Sequence, residues 1–421
     1  MLRKLPLDLS TFRNLRNAHY LYVDKTKYAY EMLTGGRCYF LSRPRRFGKS
    51  LLVSTLKEIL TGNRELFDDL WIATSDYRWE KHGVIELDLS TLGIDSPESF
   101  KTGICHALEE IVADYSLSVE VGTDSPELAL RGVVKALYGR FGHVAILIDE
   151  YDNPILQAIE DNQKAKAMCE TLRRFFSAIK GLGAFIDFVF ITGVSSFARA
   201  GLFSGINNLR IIMLNEQFAG ICGYTDDEVE LYFSEHIKAW VAAKKIAPDI
   251  LKVQIKDWYN GYHFGSSGLS VYNPFSLMHA LEAQAFKNFW FQSGTPHFLI
   301  DELKKEYRKD EFRIFDPEAI EISEDSLGIF DVGATPIPAL MFQTGYLTIT
   351  SYNREKNLYA LGYPNNEVRQ ALQKHLLSIF ARLAFTDAEQ LSMLLGLAFK
   401  REPKIFDITY KFRELNEETN T

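Results

Sequence analysis

Cysteine is scarce in this chain: four in 421 residues, at Cys38, Cys105, Cys169 and Cys222, with no Cys-x-x-Cys pair. That spacing suggests neither a disulfide framework nor a thiolate zinc site. Long apolar runs are also missing, and the longest fall well short of the roughly 20 residues that cross a bilayer. Met1-Leu2-Arg3-Lys4 leads to Pro6, Asp8 and Ser10, not to the apolar stretch of a signal peptide. The expectation is a cytoplasmic protein with no membrane partner. No low-complexity tract or fixed-period repeat stands out. What is present fits a soluble globular chain of two or three domains: 47% apolar residues, 24% charged residues and 30 phenylalanines. The net charge of −8 is unevenly spread. Residues 1–60 hold 12 Lys/Arg against 4 Asp/Glu, so the remainder is acidic. A basic N-terminal segment suits a polyanionic ligand, and the acidic remainder makes no general case for nucleic acid.

That basic segment contains Arg43-Pro44-Arg45-Arg46-Phe47-Gly48-Lys49-Ser50. Gly48-Lys49-Ser50 has the form of a phosphate-binding loop. In such a loop backbone N–H groups face a polyphosphate, a lysine reaches the outer phosphates and a hydroxyl holds magnesium. A short strand is expected over 37–41, and Leu51, Leu52, Leu56, Ile59 and Leu60 recur at helical spacing until Gly62. Strand, loop and helix in this order aim a helix N-terminus at an anion. The first glycine of Gly-x4-Gly-Lys-Ser is absent, replaced by Arg43. The expected nucleotide-binding stretch is Arg43, Pro44, Arg45, Arg46, Phe47, Gly48, Lys49, Ser50 and Leu51, with the amides of residues 45–50 as the phosphate nest. The alternative is a basic surface turn.

Val144-Ala145-Ile146-Leu147-Ile148-Asp149-Glu150 is an apolar run ending in two acids, as in a strand buried on both faces of a parallel sheet. Acids at such a strand's C-terminal end stand where open α/β sheets bind ligands. Asp149 would hold a magnesium ion through water, Ser50 would bind it directly, and Glu150 would orient the attacking water. A second acid suits hydrolysis. The alternative is a helix cap, chemistry that Asp152-Asn153-Pro154 also offers.

Strands are further expected over 84–87, 185–193 and 210–214, and helices over 97–113, 126–138 and 165–180. This alternation predicts a parallel sheet with helices on both faces. Thr192 and Ser195, leaving the fourth strand, are candidates to orient water or sense the γ-phosphate; a plain turn is the alternative. Arg199 is a candidate transition-state arginine presented to a neighbouring subunit, which would imply a homo-oligomer. A solvated arginine is its alternative. Thr225 and Glu228 have capping-box spacing. The aromatic turns around Trp258-Tyr259-Asn260-Gly261-Tyr262 and Tyr272-Asn273-Pro274-Phe275 could cover a purine or simply form core. The expected organisation is a P-loop core over 1–222, a helical lid over 223–300, a winged-helix-like segment over 301–375 and a helical extension over 376–421. Residues 301–375 carry 9 Lys/Arg against 13 Asp/Glu, which disfavours DNA contact there.

With Tyr22-Val23-Asp24-Lys25-Thr26, the loop string, Ile148-Asp149-Glu150-Tyr151-Asp152, Thr192-Gly193-Val194-Ser195, Gln343-Thr344-Gly345-Tyr346-Leu347 and Tyr363-Pro364-Asn365-Asn366-Glu367 in view, the chain resembles the bacterial AAA-ATPase-like family. The resemblance spans about residues 20–370. It implies a P-loop NTPase fold, ATP and magnesium as ligands, and DNA contact by family analogy alone. It also accommodates Arg43, because the family's loop usually reads Arg-Pro-Arg-Arg-Phe-Gly-Lys-Ser. Many relatives carry a nuclease domain marked by Gly-Arg-x-Asp and Glu-x-Lys. Only Asp310-Glu311-Phe312-Arg313 comes near it, out of order, and no nuclease activity is predicted. The resulting expectation is magnesium-dependent ATP binding and hydrolysis, with Lys49 bridging the β- and γ-phosphates. A nucleotide-loaded switch with little turnover, or a small-molecule kinase, are the alternatives.

Overall fold

The computed structural model describes residues 2–290, apart from 197–200, 204 and 207, together with 320–328 and 336–380. Its first part comprises α1 (Phe12–Asn17), α2 (Thr26–Gly35), β1 (Cys38–Ser42), α3 (Lys49–Leu60), β2 (Gly83–Asp88), α4 (Pro97–Asp114), α5 (Pro126–Phe141), β3 (Val144–Asp149), α6 (Asn153–Gln157), α7 (Asn162–Gly181), β4 (Phe188–Gly193) and β5 (Arg210–Ile211). The strands form one sheet in the order β2-β3-β4-β1-β5, and every pairing in it is parallel. All residues of β3 and β4 are buried. Their continuous apolar sequences tolerate this because helices cover both faces: α4, α5 and α7 pack together as one layer, and α1 to α3 as another.

Local chemistry sets most boundaries. Ser96 and Ser99 form a reciprocal capping box at α4, with Pro97 at its first turn. Gly142 ends α5 in the left-handed region (φ 75°). β4 begins at Phe188, three residues later than the apolar run suggests, because Phe185 closes a turn onto the Leu182 carbonyl. β5 is only two residues long, and Asn215 then starts a short 3-10 turn by accepting from the Gln217 amide.

The next elements are α8 (Asp226–Lys244), α9 (Pro248–Tyr259), the small hairpin of β6 (Tyr262–His263) and β7 (Ser270–Val271), and α10 (Pro274–Ala283). Thr225 and Glu228 cap α8 reciprocally, the arrangement their spacing predicts. The three helices share a core built on Phe233, Trp240, Leu251 and Leu277, and Leu5, Leu21 and Val23 from the N-terminal segment complete it. The first residues of the chain therefore pack with the helical unit.

The last described stretch holds β8 (Ile320–Ser323), α11 (Glu324–Leu327), α12 (Ile337–Thr344), β9 (Thr348–Asn353), β10 (Leu358–Gly362) and α13 (Asn366–Phe380). The helix α12 is followed by the antiparallel hairpin of β9 and β10. β8 adds a third antiparallel strand beside β10, which the sequence reading lacks. Leu340, Met341 and Phe342 of α12 are buried in the same cluster as the parallel sheet. Asp310-Glu311-Phe312-Arg313 lies outside the described residues.

Candidate active site

β1 ends at Ser42, and the chain crosses to α3 through residues 43–48. Two residues in this crossing have positive φ, Arg46 at 118° and Gly48 at 94°. A Cβ at Gly48 would meet nothing within 4 Å, so glycine is needed there for backbone freedom and not for space. Gly48 is also the N-cap of α3 and offers no side chain to its first turn. The partial positive charge of that helix end is therefore left for an external anion.

Lys49 is almost wholly buried. Its Nζ lies 3.3 Å from the Pro44 carbonyl and 3.4 Å from Glu150 Oε1. Ser50, in the first turn of α3, stands beside the Asp149 carboxylate and favours its charged form, so loop and acid strand meet directly. Asp149 ends β3, and its Oδ1 accepts from the Glu150 amide at 2.9 Å. Burial pushes the Asp149 carboxyl up to about 6, opposed by Ser50 and Lys49 and reinforced by Glu150 and Asp88. Glu150 has φ 48°, a left-handed conformation that costs a non-glycine residue about 1 kcal/mol or more. Strain of this kind gathers at functional sites, where the surrounding structure holds the side chain in place.

Two further carboxylates belong to this cluster. Asp88 ends β2 and stands opposite Asp149 in register. Asp152 is wholly buried. Its carboxylate does not cap α6; it accepts the Val194 amide at 3.1 Å and the Ser195 amide at 2.6 Å. Burial raises the Asp152 carboxyl to about 6, with Glu150 adding to the rise and Ser195 and Lys49 countering it. Gly193 makes this approach possible, because a Cβ there would collide with Asp152 and sit 2.6 Å from the Tyr151 ring. Four acids thus gather near a single lysine. Such an excess of hard oxygen donors suits a divalent cation of the magnesium type.

The profile of the predicted AAA-ATPase family matches residues 6–203. The chain is also 35% identical over 384 residues to the uncharacterized protein in the vnfD 5′ region of Azotobacter chroococcum mcd 1, covering 89% of this chain and 70% of that one. The chain belongs to the predicted AAA-ATPase family. Membership makes it an ATPase-like nucleotide-binding protein. Among solved structures, the Aeropyrum pernix ORC1 protein in complex with DNA aligns over 86% of this chain and 93% of its own, at 13% identity. Its TM-score of 0.29 is too low for that likeness to bear on fold or function here.

In this AAA-ATPase-like chain the expected site residues separate into two groups. Gly48, Lys49, Ser50, Asp149 and Glu150 come together. Arg43 does not join them through its side chain, contrary to its assignment to the nucleotide. Its guanidinium is buried, donates to the carbonyls of Ser42, Met213 and Phe218, and lies 4.0 Å from the Phe264 ring centroid. Burial draws it down to about 10, so it remains charged at neutral pH. Phe47 is likewise buried, edge-on to Tyr262 and Phe264. The Arg46 guanidinium stacks 4.5 Å from the Phe275 centroid. Leu51 packs against the core with its carbonyl bonded by Thr55. Thr192 is fully buried and its hydroxyl donates to the Leu41 carbonyl at 2.8 Å, tying β4 to β1; that proton is not available to a phosphate. The Ser195 hydroxyl is buried beside Asp152. Arg199 lies outside the described residues. Arg210, at the sheet edge, sits 5.8 Å from the Tyr39 centroid.

Sequence reasoning missed how distant motifs close on the loop. The Trp290 indole donates to the Arg45 carbonyl at 2.8 Å. Gly345 lies against Pro44, where a Cβ would come within 2.8 Å of the proline ring. Gln343 of α12 accepts the Ser196 amide at 2.9 Å and donates to the Leu327 carbonyl. The aromatic turns named above as purine covers are core: Tyr259, Tyr262, Phe264 and Tyr272 are all buried. For Asp152 a signal was present in the acid three residues after Asp149; for Trp290 nothing local marked it.

Proposed function

We propose that this protein binds ATP with magnesium at the Gly48–Ser50 turn and hydrolyses it. The observation that carries this reading is one cluster: a buried Lys49 ion-paired with Glu150, and Ser50 beside Asp149, beneath an uncapped helix N-terminus. The donor set fits the ligands. The helix end and Lys49 suit phosphates, and Ser50 with Asp149 would hold magnesium, whose oxygen-only preference they meet. When bound, that ion offsets charge on the phosphoryl oxygens. Lys49 exchanges the Glu150 carboxylate for the outer phosphates. Glu150, released and held by its left-handed backbone, accepts a hydrogen bond from water and orients it toward the terminal phosphorus. The bond to the ADP oxygen breaks as the new P–O bond forms, and the water proton ends on the released phosphate. Asp152 acts through position, anchoring the turn after β4 by the Val194 and Ser195 amides.

ATP binding and phosphate release by wild type, Lys49→Ala and Glu150→Gln test this together. Binding should be lost in the first variant. In the second it should persist while turnover falls at least about a hundredfold, the scale for removing an activating group. A Glu150→Gln protein as fast as wild type would remove the proposed water-orienting role. One observation favours a second reading, a nucleotide-loaded switch with little turnover: Trp290, Gln343 and Gly345 bear directly on the loop and the turn after β4. Co-purified ADP with negligible phosphate release by wild type would select it.

A further inference from the structure

At the opposite end of the parallel sheet, His82, His143 and Asp187 each stand one residue before a strand, β2, β3 and β4 respectively. These strands are neighbours, with β3 in the middle. Parallel neighbours run about 4.7–4.9 Å apart, so the residues before them form a row. Backbone bonds fix that row: the Gly83 amide donates to the His143 carbonyl at 2.9 Å, and the Asp187 amide to the Val144 carbonyl at 2.8 Å. One ligand atom from each of the three side chains lies within 4.8 Å of the other two. His143 Nδ1 is 3.0 Å from Asp187 Oδ2, and the two imidazole centroids are 5.3 Å apart. His82 Nδ1 is 2.9 Å from the Glu80 carbonyl oxygen. A carbonyl can only accept, so this nitrogen carries the proton and the Nε2 lone pair remains for a metal. An outer bond of that kind commonly orients a metal-bound imidazole. The Glu80 carboxylate, 3.9 Å from His143 Nε2, adds negative charge beside the cluster.

We infer that His82, His143 and Asp187 form a zinc-class metal site that ties the N-terminal ends of β2, β3 and β4 together. Two imidazoles and one carboxylate are borderline donors that suit zinc over magnesium or calcium. Small side-chain rotations bring three such atoms to the roughly 2.0–2.2 Å that zinc requires, and water completes the shell at this partly exposed rim. An ion held only by the folded sheet stabilises it by mass action.

The test uses the full chain, stripped with chelator and free of nucleotide, titrated with Co2+ and followed by visible absorption, with Zn2+ as competitor. Wild type should bind one equivalent with the bands of a four- or five-coordinate ion, and saturating Zn2+ should raise its melting temperature. His143→Ala and the near-isosteric Asp187→Asn should each weaken binding more than about tenfold, a loss that even outer-shell changes reach. They should also lose the Zn2+ stabilisation while keeping wild-type circular dichroism. His106→Ala, on the exposed face of α4, should bind as wild type does. Absence of binding by wild type, or equal binding by all variants, would overturn the site and reduce the cluster to a His143–Asp187 hydrogen bond. Neither result bears on ATP binding at the other end of the sheet.

Discussion

The eight residues from Arg43 to Ser50 are contiguous and rich in basic side chains, yet their first and last parts have different partners. Arg43, Pro44 and Phe47 are buried against elements that come later in the chain: the Met213 and Phe218 carbonyls, Gly345, and the Tyr262 and Phe264 rings. Gly48, Lys49 and Ser50 meet the acids at the C-terminal end of β3. The first half grips the protein so that the second half can hold its conformation, including the positive φ at Gly48. A loop string is therefore no roster of ligand contacts. Arg43, in the place where a glycine would relax the turn, instead secures it by bonding three carbonyls.

The contrast between the halves can be broken by paired substitutions. Lys49→Ala should lower the ATP affinity of the folded protein at least about a hundredfold, or roughly 2.7 kcal/mol, with urea stability changed by less because Glu150, the other member of the pair, is partly exposed. Isothermal titration and urea melts read the two effects. Arg43→Met should do the reverse, costing about 2–3 kcal/mol of stability because three buried carbonyls lose their donor, with affinity of the folded fraction held within about threefold. If Arg43→Met instead loses ATP while keeping its urea midpoint, the division of the loop is wrong.

A pH-dependent effect tests the grip from the C-terminal segment. Glu367 is wholly buried at the start of α13 and accepts the Trp290 amide at 2.8 Å. Burial raises its carboxyl from 4.5 to about 7, against the lowering by Ser276 and by the Trp290 and Phe289 amides. The folded state then holds the proton more tightly than the unfolded chain. This contribution is complete below about pH 4.5 and is lost as pH rises through about 7. Glu367→Gln, which keeps an acceptor for Trp290, should gain on wild type across that window by up to about 3 kcal/mol and plateau above it. Urea midpoints at successive pH values give the curve, and parallel curves would sink the idea. The smallest change is Trp290→Phe, which removes the bond to Arg45 and should cost about 1 kcal/mol, read as a fall in melting temperature.

Much of the frame was legible in the residues. The apolar run of β3 and its closing acids, the Gly48 turn between β1 and α3, and the Thr225/Glu228 cap all follow from contacts within a few positions. β8 was not legible, because its pairing with β10 joins Ile320–Ser323 to residues some 40 positions on. Nor was the role of Asp152, whose place three residues after Asp149 suggested a helix cap. Its partners, the Val194 and Ser195 amides, are 42 and 43 residues away.

Sequence alone carried the period of each element, its caps and the chemistry of the loop, since these depend on backbone propensities and on side chains a turn or a pleat apart. Tertiary structure decided the strand order that sets β4 between β1 and β3, and with it the meeting of Thr192 with Leu41 and of Asp152 with the turn after Gly193. It also decided that Trp290 would bond a carbonyl 245 residues before it. Such pairings have no local signature, because what selects them is the burial of whole elements against one another once the chain has collapsed around the sheet.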